Sequence, residues 1–441
     1  MSEPLAATRG FDSEKGISFG NPAIVVHPVL PSRRPVARAR SPEARLEEIA
    51  GLAEAIRLDV RAAEVVKLRE TSPGSLFGKG QMERLATLVQ ACEAEVVVVD
   101  AAVSPVQQKN LESALKAKVI DRTGLILEIF GARAATAEGR LQVELAHLEY
   151  QAGRLVRSWT HLERQRGGYG FLGGPGETQI ETDRRLLRDR ISRLKKELES
   201  VRRTRSLHRA RRQRTPHPVI ALVGYTNAGK STLFNRLTGA EVMAKDLLFA
   251  TLDPTMRSIP LPGLGKIILS DTVGFVSDLP TELVAAFRAT LEEVTEADLL
   301  VHVRDLSHPD SDAQKTDVEN VLESLGVLDG PGHVPMLEVL NKADLLDEDM
   351  RAAAAERSGR GSDTVLVSAL TGEGIERLKR LLVERLRTPT ELVSLSLHPG
   401  DGQRLAWLHA HGEIVRQEEQ GGRIELQVRL TTEAQSRYRT L

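Results

Sequence analysis

Cysteine is almost absent. Cys92 stands alone in 441 residues, so no intrachain disulfide can form, and no cysteine–histidine cluster suggests zinc. Long apolar runs are absent too; none approaches the ~18 residues of a membrane span. The opening residues MSEPLAATRGFDSEKGISFGNP lack the apolar core of a signal sequence, and residues 1–21 read as a disordered tail. Together these absences predict a protein of the reducing cytoplasm with no membrane span. The length suggests roughly two to four domains.

A net charge is also nearly missing, at −1, but the balance hides an asymmetry. Residues 136–216 hold 19 Lys and Arg against 10 Asp and Glu, whereas residues 217–385 hold 16 against 27. The first segment predicts a polyanionic partner and the second does not; a solvated helix face is the alternative for the first.

Residues 22–135 alternate short apolar runs with helical stretches. Strands are expected at Ala23–Val26, Glu95–Val99 and Lys118–Ile120, and helices over 42–56, 79–92 and 105–117, which predicts a small parallel α/β domain. Residues 136–216 carry two heptad seams, Leu141, Leu145, Leu148, Ala152 and Leu155, then Leu187, Ile191, Leu194, Leu198 and Val201. Two such helices predict an antiparallel coiled-coil hairpin. Its tip holds six glycines between Arg164 and Glu177, with Arg166, Tyr169 and Phe171. Guanidiniums for phosphates and rings for splayed bases make Arg164, Arg166, Tyr169 and Phe171 candidate RNA contacts; a plain flexible linker is the other reading. Residues 391–441 predict a small C-terminal α+β module, strand–helix–strand–strand, with Trp407 as a core residue.

Residues 217–385 carry the chemistry. The apolar strand that opens them runs into Gly224-x4-Gly229-Lys230-Ser231, a phosphate-binding loop. The glycines let backbone N–H groups wrap a phosphate, Lys230 reaches the β/γ-phosphates, and Ser231 offers a hydroxyl to Mg²⁺. Gly224, Tyr225, Thr226, Asn227, Ala228, Gly229, Lys230, Ser231 and Thr232 form this loop. Asp271-Thr-Val-Gly274 follows the next strand, as expected of a carboxylate in the metal shell and a glycine N–H that senses the γ-phosphate. Asn341-Lys342-Ala343-Asp344 follows another. A carboxylate at Asp344 accepts from guanine N1–H and its amino group, whereas adenine would present an acceptor to an acceptor. Ser368, Ala369 and Leu370 offer a backbone N–H to the base carbonyl. Four elements in this order at strand ends predict a P-loop GTPase that takes GTP/GDP and Mg²⁺.

The strings Gly224–Ser231, Leu248–Thr255, Asp271–Phe275 and GGPGETQIETDRR at 173–185 resemble the HflX family of ribosome-binding GTPases. The resemblance spans about residues 22–385. It implies binding to the large ribosomal subunit and rRNA, GTP hydrolysis stimulated there, and splitting or rescue of stalled ribosomes. It also implies that the switch-I metal-contacting threonine is Thr251, which spacing alone does not separate from Thr255. Lys230, Thr251 and Gly274 are then the catalytic candidates, with Ser231 and Thr251 on the metal. Where Ras-like enzymes carry a water-orienting glutamine, this chain has Phe275, so slow hydrolysis is expected without help. The first candidate for that help is a ribosomal component, the second a K⁺ ion held through Asn227. An ATP-driven RNA- or ribosome-remodelling protein is the alternative function, and a monomer is expected.

Overall fold

The computed structural model describes residues 20–29, 40–165, 175–212, 217–240, 249, 255–262, 264–277, 288–329, 333–360, 363–386, 390–420 and 422–439. Two compact units form, the smaller comprising Pro260–Ile267 and Glu376–Leu441.

In the larger unit, Pro22–Val29 (β1), Asp59–Lys67 (β2), Val96–Val99 (β3) and Lys118–Asp121 (β4) form a parallel sheet of order β2-β1-β3-β4. Alternate residues of its central strands serve two cores. Ala23, Val25, Val96 and Val98 meet one layer with Ile49 and Leu52; Ile24, Val26, Val97 and Val99 meet another with Leu85 and Leu111. Burial on both faces is why these strands read as unbroken apolar runs. Helix starts are written locally. Pro42–Ala55 (α1) is capped by Ser41, whose hydroxyl accepts from Ala44 N–H at 3.0 Å. Lys79–Ala91 (α2) follows, and Pro105–Leu115 (α3) begins with a Ser104/Gln107 capping box. Arg122–Arg133 (α4) is capped by Asp121, which accepts from Gly124 N–H at 2.8 Å.

Neither β2 nor α4 is apparent in the sequence pattern. The strand lies at the sheet edge, and Asp59, Arg61, Glu64 and Lys67 break up its apolar period.

Ala137–Gln165 (α5) and Pro175–Arg212 (α6) form the hairpin. Leu145, Leu148, Leu194 and Leu198 are buried between them, with Leu141, Leu187 and Ile191 against the seam. Arg190–Glu144 at 2.6 Å and Lys195–Glu149 at 2.8 Å cross it. Arg166, Tyr169 and Phe171 lie outside the described residues; Arg164 lies in α5, and its side chain is not described.

The strands Val219–Gly224 (β5), Thr255–Leu261 (β6), Gly265–Asp271 (β7), Leu299–Asp305 (β8), Met336–Asn341 (β9) and Thr364–Leu366 (β10) build a six-stranded sheet of order β10-β9-β8-β5-β7-β6. Lys230–Thr238 (α7), Arg288–Thr295 (α8), Ser311–Ser324 (α9) and Glu348–Arg360 (α10) lie between them in the chain, and Ile375–Leu386 (α11) follows β10. Pairing is parallel from β10 through β7, so each predicted motif leaves the carboxyl end of a strand on one side of the sheet.

In the smaller unit, Thr390–Leu397 (β11), Glu413–Gln420 (β12) and Arg423–Thr431 (β13) form an antiparallel sheet of order β11-β13-β12. Gly402–His411 (α12) and Thr432–Arg439 (α13) accompany it. Trp407 packs, partly buried, against a core of Leu397, Leu408, Leu426, Val428 and Leu430. Among the described residues, no helix is long and apolar enough to cross a membrane.

Candidate nucleotide site

The loop after β5 has the geometry its glycines predict. Gly224 has φ +151°, and a Cβ there would lie 2.2 Å from the Val303 carbonyl oxygen. Gly229 has φ +91°, and a Cβ there would strike the Asn341 side-chain amide. Only glycine fits at either position. Asn227 takes a left-handed φ of 60° and is exposed. Lys230 opens α7 and is buried, its ammonium donating to the carbonyls of Gly224 at 3.1 Å and Tyr225 at 2.8 Å. Burial pulls its pKa down to about 8, against the opposing charge of Asp271. An ammonium that donates to two loop carbonyls in a buried loop is poised for an anion.

Ser231 donates its hydroxyl to Asp271 Oδ2 at 2.7 Å. A hydroxyl and a carboxylate converging beside the loop are hard oxygen donors, the set that suits Mg²⁺ shared with phosphates. Among the described residues, no cluster of three or more His, Cys, Asp or Glu offers an all-protein metal cage. Thr251 lies outside the described residues.

After β7 the chain folds back over the loop. Thr272 donates to Leu222 O at 2.6 Å, Phe275 N–H to Gly224 O at 3.1 Å, and Thr226 N–H to Phe275 O at 2.8 Å. Gly274 sits so close that a Cβ would lie 2.8 Å from Thr226 Cγ2 and 3.0 Å from Lys230 Nζ. The Phe275 ring is 2% exposed and belongs to a core with Tyr225, Phe249 and Val276. The residue in the glutamine position is therefore a core residue and not merely an inert one.

Asn341 does not face open solvent either. Its Nδ2 donates to Ala228 O at 2.8 Å, and its Oδ1 accepts from Ala369 N–H at 3.0 Å. Lys342, at φ 64°, pairs with Asp305 at 2.8 Å. Ser368 donates its hydroxyl to Asp344 Oδ1, and Arg236 holds the Ala369 carbonyl at 3.1 Å, with a second bond to Leu370 O. The structure thus brings Asn341, Lys342, Asp344 and Ser368–Leu370 together beside the phosphate loop, as the sequence pattern predicts. Leu370 is exposed, 67%, at the rim.

The pattern did not reveal a charge cluster from the N-terminal layer that reaches these loops. Arg40 donates to the Tyr225 hydroxyl at 2.9 Å, to Ser277 Oγ at 2.7 Å and to Asp310 at 3.2 Å, and pairs with Glu48. Arg122 donates to the Ser277 carbonyl at 3.2 Å and to Asp100 at 2.7 Å, and it too pairs with Glu48. His27 is 2.7 Å from Asp100. Burial works against ionising Glu48, yet Arg122 and Arg40 hold its carboxyl below the usual range. Burial opposes Asp100 in the same way, but His27, Arg122 and Arg45 bring it down to about 2. Arg40, Glu48 and Arg122 look in sequence like ordinary surface charges, with no local signal to mark them.

Comparison with known proteins agrees with this geometry. Residues 219–342 match the family model described as a 50S ribosome-binding GTPase. Residues 43–131 and 133–212 match the N-terminal and middle regions of a GTP-binding GTPase, and residues 353–440 match the HflX C-terminal domain. The GTPase HflX of Magnetococcus marinus is 54% identical over 84% of this chain and 84% of its own. The GTPase HflX of Escherichia coli is 46% identical over 84% and 86%, and that of Caldanaerobacter subterraneus 41% identical over 92% of each.

Proposed function

The chain belongs to the HflX family of GTPases, and on that premise we propose a cytoplasmic, monomeric switch that binds the large ribosomal subunit and couples GTP binding and hydrolysis to ribosome splitting or rescue. The observation that carries the reading is Phe275. In the nucleotide site read above, a buried ring stands where a water-orienting side chain would act, so efficient turnover needs a group from outside. The description of the matching family model points to the ribosome, and the basic α5–α6 hairpin supplies charge for rRNA.

In this reading the backbone N–H groups of residues 224–232 cradle the phosphates, and Lys230 leaves the Gly224 and Tyr225 carbonyls for the β/γ-oxygens. Asp344 accepts from the guanine edge, and the 368–370 turn donates to its carbonyl. Ser231 and Thr251 hold Mg²⁺, with Asp271 orienting the Ser231 hydroxyl; when bound, the ion neutralises charge building on the phosphate oxygens. Gly274 N–H reads the γ-phosphate. The exposed, left-handed Asn227 is a candidate K⁺ ligand; equal hydrolysis rates in KCl and NaCl would remove that role.

The ATP-driven alternative has less support. In a doubly wound sheet a ligand sits at the carboxyl ends of the strands where the order reverses, here between β1 and β3. That crevice is filled by His27, Asp100 and Arg122, all buried and paired.

Co-sedimentation with large ribosomal subunits tests the proposal. Binding should be strong with a non-hydrolysable GTP analogue and weak with GDP, and Arg164→Ala with Arg166→Ala should weaken it while leaving intrinsic hydrolysis nearly unchanged. Equal pelleting in both nucleotide states would contradict a switch.

A further inference from the structure

Tyr225 sits second in the phosphate loop, and its two ends do different work. Its carbonyl accepts from Lys230, while its ring, 4% exposed, points away into the N-terminal layer. There the hydroxyl donates to Glu48 at 2.6 Å, accepts from Arg40 at 2.9 Å and from Ser277 N–H at 2.8 Å, and lies 2.7 Å from Ser277 Oγ. Ser277 lies three residues beyond Gly274. It is gripped from other sides by Arg122 on its carbonyl and by Asp317 of α9, to which its hydroxyl donates at 3.0 Å.

Granting the nucleotide-site reading above, we propose that the Tyr225 hydroxyl is a positioning group. Through it, Arg40 and Glu48 hold residues 274–277 down on the phosphate loop, and seating a γ-phosphate must loosen that hold.

The steric argument comes first. Gly274 lies against Thr226 and the Lys230 ammonium, and Lys230 is engaged by two loop carbonyls. In this proposal a diphosphate fills the loop and leaves residues 274–277 in place. A third phosphoryl group must enter between Lys230 and Gly274, so residues 274–277 have to shift. Tyr225 opposes the shift because one hydroxyl joins the loop, the backbone of Ser277 and a carboxylate neutralised by two arginines. Burial and the neighbouring Glu48 raise the phenol's pKa, so it remains a donor throughout the working range. The N-terminal layer therefore discriminates between tri- and diphosphate, although none of its described residues belongs to the nucleotide loops. By linkage, triphosphate binding must weaken the contact to Arg40 and Glu48 by the same factor.

The variant Tyr225→Phe keeps the ring and deletes the hydroxyl. In the full-length protein, the affinity for a fluorescent non-hydrolysable GTP analogue relative to fluorescent GDP should rise about three- to tenfold, the scale of one net hydrogen bond. The ratio is the readout, because general destabilisation lowers both affinities together and leaves it unmoved. An unchanged ratio in the folded variant would overturn the proposal. Failure of the wild type to bind fluorescent GDP would instead overturn the nucleotide-site reading on which it rests. Hydrogen exchange on the wild-type protein supplies a measurement independent of any variant. The Ser277 amide donates to the Tyr225 hydroxyl, so a peptide containing Ser277 should exchange faster with the triphosphate analogue than with GDP. Equal exchange, or slower exchange, would contradict the proposed hold.

Discussion

Asn341 donates its side-chain amide to the Ala228 carbonyl at 2.8 Å and accepts from Ala369 N–H at 3.0 Å, so one side chain ties the phosphate loop to the 368–370 turn. The motif proposed to read guanine also braces the phosphate loop. Asn341→Ala leaves a buried carbonyl and a buried N–H unpaired, a loss of about 1–3 kcal/mol. Affinity for GTP and for GDP should fall together, by about ten- to a hundredfold. Equilibrium titration with both nucleotides checks this; loss of one alone would contradict the brace.

Asp344 sits within hydrogen-bonding reach of Ser368, at the end of the Asn341–Asp344 turn. In Asp344→Asn the amide donates where the carboxylate accepts. Guanine's amino group then meets a donor, whereas xanthine offers a carbonyl at that place. Binding of GTP should fall by more than about a hundredfold and xanthosine triphosphate should gain, the asymmetry expected of a mismatched buried polar pair. Competition between the two nucleotides measures it.

Phe275 occupies the glutamine position, and restoring that glutamine should not restore catalysis. Its ring is 2% exposed in a core with Tyr225 and Phe249. Phe275→Gln buries an amide without partners and empties ring volume, a cost of about 2–4 kcal/mol. Thermal melting should show the loss, and intrinsic hydrolysis should not rise.

Lys230 should leave a signature in the pH dependence of stability. Its folded pKa, about 8, lies below the ordinary 10.5. Between those values the unfolded chain binds more protons than the folded one, so stability rises with pH across that window and is flat in this term below it. Urea unfolding of the nucleotide-free protein should show a rise that Lys230→Met abolishes. Bound GDP should flatten it, since phosphate charge favours the ammonium.

Much of the site was legible because it is local. The glycines at 224 and 229, Lys230, Asp271, Asn341, Asp344 and Ser368 each end or follow an apolar strand, and parallel strands deliver their carboxyl ends to one side. The heptad seam was legible for the same reason, since Leu145 and Leu148 repeat at helical spacing. The charge cluster was not. Arg40 and Glu48 meet Tyr225 and Ser277 only through tertiary folding, and nothing in their spacing separates a buried guanidinium from a solvated one. Edge strand β2 escaped because charge interrupts its alternation. The buried orientation of Phe275 was hidden as well: residue type showed that it could not orient water, and only the fold shows that its ring packs into the core.

The central claim is that this GTPase is a catalyst completed by the ribosome. The direct test is multiple-turnover GTP hydrolysis by the purified protein, alone and with large ribosomal subunits. The account predicts slow turnover alone and stimulation of at least about tenfold with subunits, abolished by Lys230→Ala. Turnover that is equally fast without subunits would contradict it.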